Sequence, residues 1–514
     1  MPDPSPQNAP AAVPANGNHS PGTGEFLGHP KGLYVLFSTE LWERFSFYAM
    51  RGILTLYMAK VVLASMGAAA GGQADQTYGA YLGFVYAATF VGGMLADRLL
   101  GQRRAIYIGG FLMSLAQFTL MTQALIVRSG STASYLYPLF FVGLALLACG
   151  NGFFKPNIST IVGTLYAPGD QRRDSAFTIF YVGINIGAAL SSLASAAGES
   201  WGWYIGYLLA GTGMIASLVI FTWGKKWIAG RGLPPAGATL LGRGRLGVPN
   251  VIPIIVGVLL FIPIAAYLIS QPHLVQYLSA VIGVPVLAYL LFEALRAPRE
   301  ESGRMIVAIV LCIFSMLFWG FFELAGSTIQ RFVEARMDRV VFGWEMQATF
   351  INNVINPVLI VMMGISFSTL WIWLDRRGLE PSSPLKFSLG LLQLGLGFLV
   401  LWVAAARAGA TGKSSVFWLF LTYFLFTTGE LCLSPVGLSM ITKLAPARLV
   451  GVFMGTWFLS SALANVITGG AVGRLTQKHD FAPVFLGIAA TTGAAAVLLF
   501  VLTPLLKRQM HGVR

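Results

Sequence analysis

Long apolar segments follow one another from about residue 33 to residue 506 of this 514-residue chain. A membrane-spanning helix needs about 20 consecutive apolar residues, whereas a strand of a membrane barrel is about ten residues of alternating character. The segments are long and continuously apolar, so they predict helices. Charged residues make up only 11% of the chain, against about 25% in soluble proteins. The sequence therefore predicts an all-α polytopic membrane protein surrounded by the lipid bilayer.

Segments of this length divide the chain into fourteen predicted spans, an even number that returns the C-terminus to the side of the N-terminus. The spans lie near residues 32–62, 76–97, 103–127, 135–166, 174–197, 202–224, 249–270, 274–296, 304–327, 345–374, 385–408, 415–445, 448–473 and 482–506.

The spans fall into groups. Six at residues 31–224 and six at residues 304–506 are predicted to form two six-helix bundles. Between them, residues 225–303 hold a linker rich in Gly, Pro and Arg and two further spans, which we interpret as an inserted helical hairpin. Residues 1–30 are rich in Pro, Gly, Ala and Asn and predict a disordered tail rather than a cleaved signal peptide. Residues 507–514 are predicted to be a C-terminal tail.

Basic residues are unevenly distributed among the predicted loops. If the N-terminus is cytoplasmic, every cytoplasmic loop is basic, whereas the other loops are neutral or mixed. The cytoplasmic cations are Arg98, Arg103, Arg104, Arg172, Arg173, Lys225, Lys226, Arg231, Arg243, Arg245, Arg296, Arg299, Arg304, Arg376, Arg377, Lys386, Lys443, Arg448, Lys507, Arg508 and Arg514. The positive-inside rule therefore predicts a multi-pass protein of the plasma (inner) membrane with cytoplasmic N- and C-termini.

Other features argue against several classes of function. The net charge of +14 arises from these loop cations, so no nucleic-acid partner is expected. Cys149, Cys312 and Cys432 lie inside apolar segments without metal-ligand spacing, so no metal is expected. The spans contain no histidine, HExxH or GxSxG sequence, so the chain is not expected to be an enzyme.

The sequence GGMLADRLLGQRR at residues 92–104 ends the second predicted span. Its pattern resembles the G-x-x-x-D-R-x-x-G-x-R-R loop of the major facilitator superfamily. The residues of the pattern include Gly93, Asp97, Arg98, Arg103 and Arg104. We expect Gly93 to let a neighbouring helix approach closely. Asp97 is expected to accept from a helix N-terminus or from an arginine of the other half. The alternative is a loop that only sets topology.

The sequence ELWERFSFYAMR, residues 40–51, places four charged side chains inside the first predicted span. A spacing of i, i+3, i+4, i+7, i+8 and i+11 puts six side chains on one stripe of a helix. The stripe consists of Glu40, Glu43, Arg44, Phe47, Tyr48 and Arg51. A charge at the bilayer centre costs on the order of 3 kcal/mol. The stripe must therefore face a polar interior or a water-filled cavity, unless it is a structural cluster of ion pairs.

Other predicted spans supply charged counterparts. Lys155 lies deep in the fourth span, whereas Glu323 and Glu430 lie in spans of the C-terminal half. A cavity that is basic on one side and acidic on the other suits a zwitterion. Polar and aromatic candidates in neighbouring spans are Asn185, Asn356 and Trp457.

Taken together, these motifs resemble the proton-dependent oligopeptide transporter family, bacterial type. The resemblance rests on ELWERFSFYAMR, FFKPNIST, FYVGINIG, ELCLSPVGLS and the 92–104 loop, and runs from about residue 30 to residue 506. It implies the major facilitator fold, in which an inserted hairpin is typical of bacterial members. It also implies a symporter that imports di- and tripeptides by alternating access, with protons as the coupling ion and no cofactor. We expect the protein to function as a monomer.

The resemblance assigns the coupling and gating residues. The E-x-x-E-R motif of the family falls on Glu40, Glu43 and Arg44, and the extracellular gate pair falls on Arg51 and Glu323. The five histidines are predicted to lie in tails or loops, so a carboxylate must carry the proton. We expect Glu323, facing Arg51, to be the main proton site, and the E-x-x-E-R motif to link proton and peptide binding.

The resemblance also assigns the peptide site. The clamp for the peptide carboxylate falls on Arg44 and Lys155, and the partner of the peptide amine falls on Glu430, assisted by Asn356. The remaining pocket residues are Tyr48, Tyr86, Asn185 and Trp457.

Two positions depart from the family pattern, and alternatives remain. Phe47 stands where the family often has Tyr, and Leu324 follows Glu323 where the family commonly has Gln; both changes bear on side-chain selectivity. One alternative is a nitrate or other small-solute transporter of the same family, against which Glu430 argues, since an anion has no amine. Another is an exporter of the wider superfamily.

Overall fold

The computed structural model describes residues 24–167, 170, 172–228, 230–235, 240, 242, 248–409, 412–446 and 449–512. Most of the predicted N-terminal tail lies outside the described residues, as do four predicted cytoplasmic cations, Arg243, Arg245, Arg448 and Arg514.

Long helices dominate the first half of the described chain. They are α1 (Lys31–Tyr57), α2 (Ala70–Leu95), α3 (Gln102–Arg128), α4 (Leu136–Thr164), α5 (Arg172–Trp201) and α6 (Trp203–Gly224). Short π or 3₁₀ turns follow α1, α2 and α6, at Met58–Val62, Ala64–Ala69, Ala96–Leu100 and Lys225–Ile228.

The second half is built in the same way. Its helices are α7 (Val251–Ser270), α8 (Pro272–Arg296), α9 (Arg299–Phe322), α10 (Thr328–Arg336), α11 (Ala348–Arg376), α12 (Ser383–Ala408), α13 (Phe417–Leu444), α14 (Val450–Lys478) and α15 (Phe481–Gln509). Among the described residues, three pairs of two-residue strands lie outside the helices. They are β1 (Glu25–Phe26) with β2 (His29–Pro30), β3 (Met337–Asp338) with β6 (Ser414–Ser415), and β4 (Val340–Val341) with β5 (Trp344–Glu345). The β3–β6 pair is parallel and the other two are antiparallel.

Eleven helical segments of the described residues are long and apolar enough to cross a membrane. Helix α1 has comparable length, 27 residues, but its charged stripe makes it less apolar than these segments. Helices α13 and α14 have 28 and 29 residues. The predicted total of fourteen spans stays a prediction.

Two helices differ from the predicted spans in ways that affect the charged residues. Helix α2 begins at Ala70, earlier than predicted, because the Ala/Gly-rich segment before residue 76 is helical and packs closely on α14. The span predicted at 304–327 is broken: α9 ends at Phe322, and Glu323–Gly326 form a 3₁₀ turn. Ser327 has φ −133° and ψ −98°, so the chain bends before α10 starts. Glu323 therefore lies at a helix break rather than inside a continuous helix.

Two large clusters of buried apolar side chains form the core of the described chain. One runs from Leu33 to Ile269, and the other contains Leu56 and side chains from Leu290 to Met510. The boundary between the two clusters falls within the α7–α8 hairpin. Helix α7 packs mainly on α4, whereas α8 packs mainly on α14 and α9.

The seam between the two clusters is formed chiefly by α2 against α14 and by α5 against α11. Glycines allow the close approach of the first pair. A Cβ atom on Gly79 would lie 3.1 Å from the Cα of Gly469, so a side chain there would push the two helices apart.

The two ends of the helix bundle differ, and we name them by the segments they carry. The terminal end carries β1–β2, where His29 Nδ1 lies 2.8 Å from the hydroxyl of Tyr166, and the end of α15. The distal end carries the α1–α2 connection, residues 58–69, and the break between α9 and α10.

His273, predicted in a loop, instead lies in the first turn of α8.

Candidate functional site

The charged stripe of α1 is buried, as its spacing predicts. Glu40, Glu43 and Arg44 are 1%, 0% and 2% exposed. Arg44 donates to Glu43 through Nε and through Nη2, the latter at 2.6 Å, and its Nε lies 3.2 Å from Glu40 Oε1. The i,i+4 pair of Glu40 and Arg44 is therefore confirmed. Arg44 is held by two carboxylates, and the buried Oε2 of Glu40 has no hydrogen-bond partner among the described residues.

Arg51 joins α1 to the break after α9. Its Nη2 is ion-paired with Glu323 Oε2, and its Nε donates to the hydroxyl of Tyr78 on α2. The Arg51 guanidinium lies 5.5 Å from the ring centre of Tyr48. The ring of Phe47, which shares the stripe with Arg51, lies under Arg44, at 5.1 Å.

Lys155 on α4 is the least engaged cation of this cluster. Its ammonium lies 5.6 Å from the ring centre of Tyr86, and the Tyr86 hydroxyl donates to Glu323 Oε1 at 3.2 Å. Within the described ranges no carboxylate oxygen comes within 4.0 Å of Lys155. In the part of the chain that the structure describes, Lys155 is thus a half-buried cation without an ion-pair partner.

Glu430 on α13 is the corresponding carboxylate of the second half. It is 7% exposed and accepts from Asn356 Nδ2 at 3.1 Å, and the same Nδ2 lies 3.0 Å from Thr427 Oγ1. No cation of the described residues pairs with Glu430 within 4.0 Å. The predicted association of Glu430 with Asn356 is therefore present.

These groups belong to one cluster. Tyr48 lies within electrostatic reach of Arg44, Arg51, Glu323 and Glu430. Lys155 is likewise within reach of Arg44, of Glu323 and of the two glutamates of α1. The arginines of α1 are paired with carboxylates, so among the described residues the unpaired charges are the cation of Lys155 on α4 and the carboxylate of Glu430 on α13.

Asn185 and Trp457 are less directly connected to the cluster. Asn185 donates to the backbone oxygen of Tyr181 in its own helix, at 3.0 Å. Trp457 on α14 packs beside Gly437, whose Cβ, if present, would lie 2.7 Å from Trp457 Cζ2. Among the described residues neither makes a hydrogen bond to the charged side chains.

The 92–104 loop corrects one expectation. A Cβ on Gly93 would meet Pro156 at 3.6 Å, which is ordinary contact, whereas a Cβ on Gly92 would collide with the backbone oxygen of Gly152 on α4. Gly92, not Gly93, therefore permits the close approach, because the neighbouring backbone cannot move aside as a side chain can.

The polar residues of this loop contact their own segment and the 225–303 linker. Asp97 is exposed and accepts from Gln102 Nε2 at 2.9 Å. The expected arginine of the other half is not among its contacts within the described residues. Arg98 and Arg104 are exposed, and Arg103 is half-buried. The backbone nitrogen of Arg103 donates to Gly232 at 2.9 Å.

The distal end is closed by contacts between the two halves of the chain. Besides Arg51–Glu323, Thr55 Oγ1 donates to the backbone oxygen of Gly326 at 2.6 Å. Glu199 accepts from the backbone nitrogen of Thr349 at 2.9 Å. Tyr181 on α5 lies within reach of Glu430 and is 37% exposed.

Several residues of this region were not singled out from the sequence. Asp75 immediately precedes the predicted second span, and Tyr78 lies near its start. Asp75, Tyr78 and Tyr86 share a stripe of α2, at i, i+3 and i+11. That spacing was the available signal. Arg331, which pairs with Asp75, follows the predicted span in a stretch of mixed charge. Pairing across a distance of 256 positions has no local signal.

Comparisons with known proteins agree on one family. A family model described as the POT family matches residues 103–239 and 269–491. The peptide transporter YePEPT of Yersinia enterocolitica is 34% identical over 519 residues, which cover 96% of this chain and 98% of that protein. An uncharacterized transporter, YclF, of Bacillus subtilis is 34% identical over 497 residues, covering 95% and 96%. Dipeptide and tripeptide permease A of Cronobacter turicensis is 31% identical over 492 residues, covering 93% of each.

Solved structures give the same result. A mutant of a peptide transporter POT in complex with alafosfalin aligns with a TM-score of 0.81 and 33% identity, covering 96% of this chain and 98% of that one. A POT family transporter in complex with 5-aminolevulinic acid has a TM-score of 0.81 and 29% identity, covering 95% and 98%. The chain therefore belongs to the POT family and is an all-α, multi-pass membrane protein with the major facilitator fold.

Proposed function

We propose that this protein is a proton-coupled symporter that imports di- and tripeptides by alternating access. Membership of a transporter family, rather than an enzyme class, supports the general activity. The names of its relatives, a peptide transporter and a dipeptide and tripeptide permease, support the substrate class.

The observation that carries this proposal is a pair of opposite charges in one cluster, Lys155 on α4 and Glu430 on α13, which have no ion-pair partner among the described residues. An unpaired buried charge is costly unless a partner arrives. A short peptide is a zwitterion, so its carboxylate can satisfy Lys155 while its amine satisfies Glu430. A nitrate ion would leave Glu430 unsatisfied, and this disfavours the small-anion alternative.

Other residues complete the proposed peptide site. Arg44 is saturated by Glu40 and Glu43 in this state, so it becomes available to the peptide carboxylate only when one of those carboxylates is neutralised. Asn356 orients Glu430 for the peptide amine. The walls are assigned to the aromatic and polar side chains Tyr48, Tyr86, Asn185 and Trp457.

The proton is proposed to act on the gate. When Glu323 is ionised it attracts Arg51 and keeps the distal end closed. When Glu323 accepts a proton from outside, that attraction is lost and the distal end can open. Release of the proton to the other side restores the ion pair. Glu40 and Glu43 would link the same cycle to peptide binding through Arg44.

The orientation follows from the charges of the loops. With cytoplasmic N- and C-termini in the plasma (inner) membrane, the distal end would be extracellular, and the contacts that close it would form the outer gate. We further propose that residues 31–224 and 304–506 are the two moving bundles and that residues 225–303 form the linker and hairpin. The protein would act as a monomer, with protons as its coupling ion and no cofactor.

The 92–104 loop is proposed to be a conformational element. In this state Asp97 bonds within its own loop. Closure of the cytoplasmic side would bring Asp97 and its neighbouring arginines against the second bundle. The arginines of the loop are Arg98, Arg103 and Arg104.

Uptake of radiolabelled dialanine into proteoliposomes tests the proposal. We expect accumulation under an inwardly directed proton gradient, and its collapse when a protonophore is added. Unlabelled di- and tripeptides should compete, whereas free amino acids and nitrate should not. Competition by nitrate alone, or accumulation that is indifferent to the protonophore, would refute the proposal.

A further inference from the structure

A second buried ion pair crosses the seam at the distal end. Asp75 on α2 is completely buried, and Arg331 on α10 is 14% exposed. Arg331 Nε lies 3.0 Å from Asp75 Oδ1, and its Nη2 donates to Asp75 Oδ2. Thr328 Oγ1 donates to the same Oδ2 at 2.7 Å. The carboxylate is thus held by three hydrogen bonds from α10.

The Arg331 guanidinium also contacts α14 and the start of α15. Arg331 Nη2 also donates to Thr476 of α14 at 2.9 Å, and the guanidinium lies 5.6 Å from the ring centre of Phe481. The hydroxyl of Tyr78, one turn along α2 from Asp75, accepts from Arg51. Asp75 therefore lies one turn nearer the distal surface than the Arg51–Glu323 gate, and Tyr78 connects the two layers.

An exposed ion pair at the same seam provides a contrast. Lys60, just after α1, and Glu334 on α10 are 2.7 Å apart, but their side chains are 45% and 30% exposed. Exposed pairs contribute little because water screens them, whereas removing one partner of a buried pair leaves an uncompensated charge. Of these two pairs, the buried Asp75–Arg331 pair is the one placed to influence whether the distal end stays closed.

We infer that Asp75 and Arg331 form a second outer gate, which must separate each time the distal end opens. This inference rests on the alternating access proposed above. It makes Asp75 and Arg331 positioning residues of the transport cycle, because they act on the distance between α2 and α10 rather than on the substrate. It also explains why α10 is a separate helix after the break: the break lets α10 carry Arg331 towards or away from α2.

The distance between the two halves measures this gate directly. Spin labels at Met66→Cys and Phe342→Cys lie on exposed distal positions of opposite halves, and the native cysteines are buried. In nanodiscs, Asp75→Asn should raise the ratio of open to closed distal distances by at least about tenfold, since Arg331 is left unpaired. The double variant Asp75→Asn/Arg331→Gln removes both charges and should return to within about fivefold of the wild type.

Two further variants complete the test. Lys60→Gln breaks the exposed pair and should stay within about fivefold of the wild type. If Asp75→Asn is too unstable to purify, Thr328→Val removes one hydrogen bond to the same carboxylate and should still shift the ratio towards the open state. Unchanged distances in Asp75→Asn would overturn the inference. If Thr328→Val has to be used in place of Asp75→Asn, unchanged distances in Thr328→Val would overturn it as well. So would a double variant as open as the single one. These distances are measured without peptide, so the result does not depend on the substrate being a peptide.

Discussion

Arg51 on α1 and Glu323 at the break after α9 are ion-paired, although 272 positions separate them in the chain. Glu323 also accepts from the hydroxyl of Tyr86, and Arg51 donates to Tyr78. A single carboxylate thus connects α1 and α2 with the segment that bends between α9 and α10. A proton on that carboxylate weakens the pair at the point where the two halves of the chain meet.

Glu323→Gln should abolish proton-driven accumulation of dialanine while preserving exchange of peptide across the membrane. The amide keeps the size of the side chain but can neither bind a proton nor attract Arg51 as an ion. Uptake under an imposed proton gradient and counterflow without a gradient, measured on the same proteoliposomes, separate the two activities. Accumulation against a gradient in this variant would show that another group carries the proton.

Lys155→Gln should weaken peptide binding by about 10- to 100-fold, since a hydrogen bond to a charged group is worth roughly 1.5–3 kcal/mol. The matched comparison is a dipeptide amide, which lacks the carboxylate. Its already weak binding should change little between wild type and variant. Competition against labelled dialanine gives both affinities, and an equal loss for the two ligands would contradict the assignment.

Glu430→Gln should act at the other end of the peptide. The variant is expected to lose a similar factor for dialanine, because the peptide amine loses its carboxylate partner. N-acetyl-dialanine has no cationic amine, so its competition should be nearly unaffected. Asn356→Ala should show a smaller loss of the same kind, since Asn356 only orients Glu430.

Gly92→Ala should destabilise the folded protein by about 1–3 kcal/mol, the usual cost of overpacking. The added methyl group meets the backbone of Gly152, so α2 and α4 must separate. Gly93→Ala is the matched control, because its methyl group makes ordinary contact with Pro156. Thermal unfolding in detergent should place Gly92→Ala below both Gly93→Ala and the wild type; equal melting temperatures for the two variants would contradict this reading.

Sequence periodicity was sufficient for groups that share one helix. The stripe from Glu40 to Arg51 follows from the 3.6-residue repeat, and the structure confirms the burial of its first three charged members. The motif of the 92–104 loop placed Gly93 at a helix contact but could not distinguish it from Gly92. Which of two adjacent glycines faces α4 depends on the rotation of α2, and packing against α4 and α14 sets that rotation.

Residues that meet across the seam could not be identified in this way. Asp75 and Arg331 are ordinary charged residues near the ends of predicted spans, and only the approach of α10 to α2 makes them a pair. The break after Phe322 likewise has no proline or glycine at its first position. It is stabilised by contacts from elsewhere in the chain, including the hydrogen bond from Thr55 to the backbone of Gly326 and that from Asn352 to the backbone of Ala325, at 2.7 Å.

The sequence by itself determined that this chain is a helical membrane protein and that charges line one face of α1, because burial in lipid requires long apolar helices and confines charges to a polar interior. The tertiary structure decided which charges neutralise one another. Arg44 and Arg51 are paired with carboxylates, whereas Lys155 and Glu430 have no ion-pair partner among the described residues. That division depends on the distances between helices. The energy of an ion pair weakens as the distance between its two charges grows, and no local pattern of residues encodes that distance.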